Sequence, residues 1–525
     1  MADDVLMVHM KQAMRLHEFF HFRLRFPVFN ASMAPVHCRL VAAIVAVFLF
    51  IPFAMAEPVA APGDLRLRHD LQLLGDSGLL NIPLTTWPVS WGDVSNALVD
   101  KSKAQNPAVL ASWQRVHQRV EREFSKRVKL SSRLATAALP SRFRTFTDTP
   151  RSSLEAGTAI SKMGNYWAVH LEGTAVVRKP RDGKRWRPDG SYAAVLLGNW
   201  IVSAGWQDRW WGPAWEGSLI MSTHARPLPA ISLMRNASEA FDLPVLRWLG
   251  PWQFRMFQAK LEGNRFIPNA LLTNMRLSFK PTPSLELGFS RAIQWGGTGR
   301  PHNIATFLRA LAGHDNVGQK GVTVANQAGN QLAGFDARWA SPVFDLPYAL
   351  YTQWIGEDES RGFPISYMAI VGGEIWGSWG NSGASWRMHV EYANTAAHLF
   401  GGSLVNRNVA YEHGVYRSGY RYYNESLGHS IDGDGLSYSI GGVVVDSTGR
   451  SWEMILRQVQ TNRDGISPGV LKIPAERILA VEGRGTFDTR LGQFQLGASL
   501  YRNRLDGTTN ARYRASAEMQ WTVQY

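Results

Sequence analysis

The chain has 525 residues, 56 Lys plus Arg against 42 Asp plus Glu, a net charge of +14, 20 Trp and a single Cys. With 45% apolar and 19% charged residues it is too apolar for a disordered chain, and one thiol excludes a disulfide-stapled scaffold. The positive charges are scattered, with no run of five or six Lys/Arg, so nucleic acid is not the natural partner of this basic chain; acidic saccharides and anionic lipid remain.

In chain order, the first element is the apolar run Leu40 to Phe53, preceded by Arg39 and followed by the small-x-small site Ala54-Met55-Ala56. It reads as a secretory signal, because it falls short of the roughly 20 residues that a transmembrane helix needs. The region 1–56 is long for a leader, and Met33 would give a start of ordinary length. Cleavage after Ala56 leaves 469 residues and removes Cys38; the leader carries five Lys/Arg and three Asp/Glu, so the net charge falls to +12. No later stretch of 18 apolar residues occurs. That excludes helical spans but not a β-barrel, whose strands only alternate.

Residues 57–135 carry helix signals and are expected to form a periplasmic helical bundle or plug. Asn106-Pro107 is an N-cap and first-turn pair, followed by Leu110, Trp113, Val116, Val120 and Phe124 at three- and four-residue spacing. Ser90-Trp91-Gly92-Asp93 opens a shorter helix through Leu98.

From about residue 140 the period becomes two, and 136–525 is expected to be an all-β antiparallel outer-membrane barrel. In the last strand Tyr513, Ala515, Ala517, Met519, Trp521, Val523 and Tyr525 face one way, and Arg512, Arg514, Ser516, Glu518, Gln520, Thr522 and Gln524 the other. A terminal aromatic strand with polar residues opposite suits barrel closure better than a soluble sandwich. Twelve strands fit between residues 252 and 525, and 140–235 has room for about six more, giving 16 to 18. With the C-terminus in the periplasm, the short connections 280–283, 446–449 and 488–490 fall on that side. The long ones, 296–330, 396–435 and 460–476, fall outside, as in outer-membrane barrels. The helical preface and the 296–330 segment are the candidate plugs.

Two outward loops hold the candidate binding residues. Gln207 to Glu216 offers Arg209, Trp210, Trp211 and Trp215, whose aromatic faces could stack on sugar rings while Arg pairs with uronate carboxylates. The equal alternative is an interfacial girdle or packing inside the barrel wall. Arg417 to Asp434 interleaves Arg417, Arg421, Tyr422 and Tyr423, and its Asp432-Gly433-Asp434 lacks the other ligands of a calcium loop, so a solvated turn is the simpler reading. No G-x-S-x-G, H-E-x-x-H or Walker loop is present. Ser385/His389 and His413/Ser418 are pairings that arise by chance in any chain with this many histidines, the separation of Asp208 and Glu216 as paired carboxylates is not set by the sequence, and no catalytic residue, metal site or cofactor is assigned.

Three segments carry a resemblance. GWQDRWWGPAWEGSLIMSTHAR from Gly205, SLELGFSRAIQWGGTGRP within Arg265 to Pro301, and GYRYYNESLGHSIDGD from Gly419, together with Thr86-Trp87-Pro88-Val89-Ser90-Trp91, resemble the Wzi family of capsule assembly proteins. The departure is His224, where the family pattern more often reads Asn-Ala-Arg. The resemblance implies an 18-stranded outer-membrane barrel of a Gram-negative bacterium, closed at the periplasmic side by a small helical bundle. It implies a lectin that holds exported capsular polysaccharide on the cell surface, not an enzyme. The expected partners are an acidic polysaccharide and, secondarily, outer-membrane lipid, with the chain a monomer. The alternative is a porin-like channel for small solutes.

Overall fold

In a strand, successive side chains point to opposite faces, so a run that alternates apolar and polar has one face for lipid or core and one for water or polar partners. A computed structural model describes residues 58–525 except 105, 126, 178–181, 313–328, 342–346, 361–362, 400–404, 407–408, 468 and 509. The expected leader lies outside the described residues.

Eighteen antiparallel strands form one closed barrel. They are β1 (Lys129–Ala137), β2 (Leu154–Met163), β3 (Trp167–Val176), β4 (Tyr192–Leu197), β5 (Trp200–Trp206), β6 (Pro229–Arg235), β7 (Trp252–Lys260), β8 (Leu271–Thr282) and β9 (Leu285–Trp295). There follow β10 (Gly329–Ala340), β11 (Tyr348–Ser360), β12 (Phe363–Ser378), β13 (Ser385–Leu399), β14 (Leu436–Val445), β15 (Ser451–Thr461), β16 (Glu476–Thr489), β17 (Gly492–Leu505) and β18 (Ala511–Gln524). Closure is made by β18 against β1, in register from Glu518↔Ala137 to Gln524↔Ser131. The barrel therefore begins at Lys129, before the boundary expected at 136. The alternation of β1 runs on directly from the helical preface, without the Gly/Pro punctuation that would have marked the change.

The outer face exposes Leu171, Val390, Met454, Leu496 and Leu500, while Arg276 and Arg387 are completely buried on the inner face. Burying guanidinium groups and exposing leucines is inside-out for a water-soluble domain and is what a lipid-facing barrel requires. No helix among the described residues is long and apolar enough to cross a membrane, which says nothing against strands doing so.

Connections at one end of the barrel are mostly short and at the other mostly long; we call these the turn end and the loop end. The long connection at the turn end is β6–β7, residues 236–251. It is long because it grips the preface: Ser238 donates from its N and Oγ to Asp93 Oδ1 at 2.7 and 2.8 Å.

The preface enters the lumen from the turn end as three helices, α1 (Leu65–Asp76), α2 (Trp91–Ala97) and α3 (Pro107–Glu123). Their starts follow the sequence signals: Asp64, Ser90 and Asn106 cap the three N-termini by accepting from backbone N–H groups two or three residues on. The face of α3 is rotated from the expected one. Val109, Ser112, Val116, Val120 and Glu123 are buried and Phe124 is exposed, because Ser112 donates to Asp70 and Glu123 pairs with Lys129. Apolar periodicity could not register these polar anchors.

The wall holds this plug through charge. Asp76 at the end of α1 pairs with Arg338 (2.8 Å) on β10 and Arg387 (2.7 Å) on β13. Glu286 of β9 accepts from Leu84 N, Thr85 N and Thr85 Oγ1 at 3.0, 2.9 and 2.6 Å. Arg66 and Arg115 donate to the carbonyls of Gly449 and Asp446 in the β14–β15 turn, at 2.6 and 3.1 Å. Hydrogen bonds to charged groups contribute about 1.5–3 kcal/mol each, so such a set fixes the plug as part of the fold.

The 296–330 segment behaves differently from the plug expected of it. Its described part contains α4 (Ile304–Leu311), which lies on the outside of the barrel at the loop end. Phe307 and Leu311 pack there on the outward residues Ile293, Trp295, Leu271 and Met275. Residues 313–328 lie outside the described set.

Candidate functional site

Both loops expected to face outward start at the loop end, but they turn inward. Trp210 and Trp211 form a short ladder with Thr86 and Trp87 of the preface, in register Trp210↔Trp87 and Trp211↔Thr86. Two segments thus meet inside the lumen, one from each end. Trp210 joins Trp87, Trp91 and Phe146 in the plug core, and Trp211 packs on Phe257 with ring centroids 5.6 Å apart. Trp215 donates Nε1 to Glu374 Oε2 (2.7 Å), stacks on His389, and has the Arg68 guanidinium 4.1 Å over its ring. Arg209 is buried over the Phe257 ring and donates to Ser232 Oγ (2.7 Å); burial lowers its pKa to about 10.

The second loop does the same. Arg421 is 1% exposed and held by Asp432 and Glu412, both at 2.6 Å. Burial alone would lower its pKa, yet these two carboxylates hold it above the ordinary value. Tyr422 is buried. Burial has the opposite sign for a phenol and pushes up the pKa of Tyr420, whose hydroxyl donates to Ile220 O of the first loop at 2.9 Å. Where the two loops touch there is no room for side chains: a Cβ on Gly217 would stand 2.3 Å from His429, and one on Gly428 2.3 Å from Leu219 O.

Of the eight expected site residues, Arg209, Trp210, Trp211, Trp215, Arg421 and Tyr422 are therefore interior, and packing inside the barrel is what the structure gives them. Arg417 and Tyr423 keep surface at the mouth. Arg417 is exposed, 5.2 Å above the Phe266 ring, and Tyr423 is half-buried beside Arg226. Sequence spacing identified the loops but could not show that their aromatic residues would seek the plug rather than solvent.

The loop end carries further basic groups, of which the sequence pattern shows Arg512 and Arg514 only as the polar side of a strand and does not single out Arg142. Arg512 and Arg514 lie on the inward face of β18 near its loop end and are exposed. Arg142, also exposed, pairs with Glu476. The alternation of the last strand was the signal that placed the first two. Arg226, beside His224 where the sequence departs from the family pattern, pairs with Asp182 and Asp189 (2.7 Å), tying two loops together. Burial lowers the pKa of His224 to about 4.

Between the plug and the wall of β1–β4 and β15–β18 lies a polar cavity of about 400 Å³. Arg133, Arg144, Arg151 and Arg484 line it together with Asp148, Glu155, Asp208 and Glu453. Burial, reinforced by Asp148 and Asp189 and opposed by Arg151, raises Asp208 to about 6.

The candidate catalytic pairs do not assemble. Ser385 Oγ meets His69 Nε2 (2.8 Å) in a sealed plug contact, and His389 Nε2 meets Glu216 Oε1 (2.8 Å). His413 Nδ1 accepts from Val415 N and Tyr416 N, while Ser418 Oγ accepts from Phe266 N. Asp208 lies 3.9 Å from Arg151, and Glu216 is bound by Arg457 as well as His389. Among the described residues no group of three or more His, Cys, Asp or Glu is placed to hold a metal ion.

Comparison with known proteins agrees with this architecture. A Klebsiella pneumoniae protein described as an uncharacterized 55.8 kDa protein in the cps region is 34% identical over 338 residues, covering 64% of this chain and 65% of its own length. The match thus spans just under two thirds of that relative. The solved Escherichia coli Wzi is an outer-membrane protein involved in group 1 capsule assembly and a carbohydrate-binding β-barrel. It superimposes with a TM-score of 0.75 at 27% identity, over 89% of this chain and 99% of that one. Residues 131–525 match the family described as capsule assembly protein Wzi; the chain belongs to that family.

Proposed function

We propose that this protein is an outer-membrane lectin that attaches exported polysaccharide to the cell surface and so contributes to capsule assembly, without turning the glycan over. The observation that carries this reading is the match of the whole barrel, plug included, to a carbohydrate-binding member of the family. On this reading the loop end faces outward and the polysaccharide is acidic. The contact surface is the mouth: the Arg417–Phe266 stack, Tyr423, and the exposed Arg142, Arg512 and Arg514. Arginine pairs with carboxylates through a planar fork, aromatic faces cover sugar C–H faces, and a basic mouth raises the local concentration of a polyanion. Single contacts are weak, and repeated engagement along a polymer supplies avidity.

The test is binding of the purified full chain to a glycan array at low salt, alongside surface capsule in a deletion strain. Binding to acidic polysaccharides that falls steeply in Arg417→Ala/Tyr423→Ala and Arg512→Ala/Arg514→Ala variants is expected. No binding, with surface capsule unchanged on deletion, overturns the proposal.

A further inference from the structure

On the outside of the barrel at the loop end, three arginines stand together on two adjacent strands. Along β16 the outward residues are Arg477, Leu479 and Val481, and along β17 they are Leu496, Ala498, Leu500, Arg502 and Arg504. This parity is fixed by the inward Glu482 and Arg484, which pair with each other in the lumen at 2.8 Å. Leu479, Val481, Leu496 and Leu500 are 42%, 37%, 48% and 52% exposed and belong to the lipid-facing belt. Arg477 is the direct cross-strand partner of Arg504, and Arg502 is the partner of Leu479 on one side and of the exposed Tyr513 on the other.

Two like charges set directly opposite each other on one face of a sheet are destabilising unless an anion sits between them. The protein supplies little of one. Asp506 lies 3.9 Å from Arg477, with both side chains about half exposed. The guanidinium groups of Arg502 and Arg504 have no hydrogen-bond or ion-pair partner among the described residues. The cluster lies at the edge of the apolar belt: Arg477 follows Leu479 and Arg502 follows Leu500 by about 7 Å along their own strands, at about 3.3 Å per residue, and Arg502 stands beside Leu479. That is the level at which an outer leaflet presents its headgroups, next to low dielectric where a guanidinium–anion pair is strongest.

We propose that Arg477, Arg502 and Arg504 form a binding site for the phosphate groups of an outer-leaflet glycolipid, so that the barrel carries a bound lipid at its rim. This rests on the outer-membrane placement above but not on polysaccharide binding, which belongs to the mouth and is measured separately. The full chain in mild detergent is titrated with diphosphorylated lipid A and with the same lipid stripped of phosphate, and occupancy is read by native mass spectrometry. Each arginine contributes about fivefold near such a surface. Arg477→Gln/Arg502→Gln/Arg504→Gln is therefore expected to weaken binding of the phosphorylated lipid on the order of 100-fold, with the stripped lipid binding the unaltered protein just as poorly. The stripped-lipid arm needs no substitution, so misfolding of the variant cannot blur the result. Equal occupancy by both lipids would overturn the proposal. So would a folded triple variant that keeps lipid A but loses soluble acidic polysaccharide, since the cluster would then belong to the glycan site.

Discussion

Two histidines, His413 half-buried and His429 buried, show how single residues set the response of the inward loops to acid. His413 and His429 each use Nδ1 to accept backbone N–H groups, so each must stay neutral on that nitrogen. Burial lowers their pKa values to about 4 and about 3; Arg300 adds to the effect at His413, and Arg457 and His224 at His429. Both folded values lie below the ordinary 6.5, so the folded chain binds fewer protons than the unfolded one between them. The stabilising contribution is complete above pH 6.5 and is lost as pH falls through about 4 for His413 and about 3 for His429. Limited proteolysis of the 409–435 loop is therefore expected to accelerate as pH drops from 7 to 4.5. His413→Asn/His429→Asn, which keeps an acceptor and removes the titration, should flatten that profile. A double variant that tracks the wild type would place the acid response elsewhere.

At the scale of elements, the decisive joint is the two-residue ladder between Thr86–Trp87 and Trp210–Trp211. It couples a segment entering from the turn end to one entering from the loop end, and Arg68 locks the pair by donating to Pro213 O and Ala214 O at 2.9 and 2.8 Å. Trp210 is fully buried there, so Trp210→Ala should cost about 3–5 kcal/mol, as other large aromatic truncations in cores do. Denaturant unfolding of the full chain, followed by near-UV circular dichroism, measures that loss. Glycan binding by the folded fraction should persist, because the ring packs rather than contacts ligand; a binding loss without a stability loss would return Trp210 to the site. The same joint marks where the sequence stopped being informative. Alternation in Tyr513 to Tyr525 and the Asn106-Pro107 start were local signals, set by pleat and capping geometry, and both are met by the structure. Whether a Trp-rich loop points to solvent or to the lumen depends on partners more than 120 residues away in the chain, such as Thr86 and Glu374. No periodicity encodes that choice. Only the family resemblance, carried by GWQDRWWGPAWEG and TWPVSW together, linked the two segments, and it did so without showing that they touch.

For the whole molecule, the net charge of +14 acquires a distribution. In the lumen, positive groups are matched in networks such as Arg338 and Arg387 with Asp76 and Glu374, or Arg457 and Arg484 with Glu216, Glu482 and Glu453. The first network binds plug to wall and the second ties the wall to the first inward loop through Glu216; both leave their charge unavailable to a passing polyanion, whereas Arg417, Arg512 and Arg514 are exposed at the loop end. A barrel of 18 strands is wide enough for an aqueous pore, so what separates a surface lectin from a channel is the filling. The plug meets the wall through Asp76, Glu286, Arg66 and Arg115, while the loops meet the plug at Trp210 and Trp211. The full chain should accordingly be silent in planar bilayers under conditions where a general porin conducts. Deleting residues 58–128 removes the turn-end filling and its ladder to the first loop, and should produce frequent, noisy openings because the inward loops lose their support. Asp76→Asn, which leaves Arg338 and Arg387 short of a counter-charge, should give rarer openings of the same amplitude. Steady porin-like conductance from the unaltered protein would favour the channel instead and would make the polar cavity of about 400 Å³ beside the plug its route.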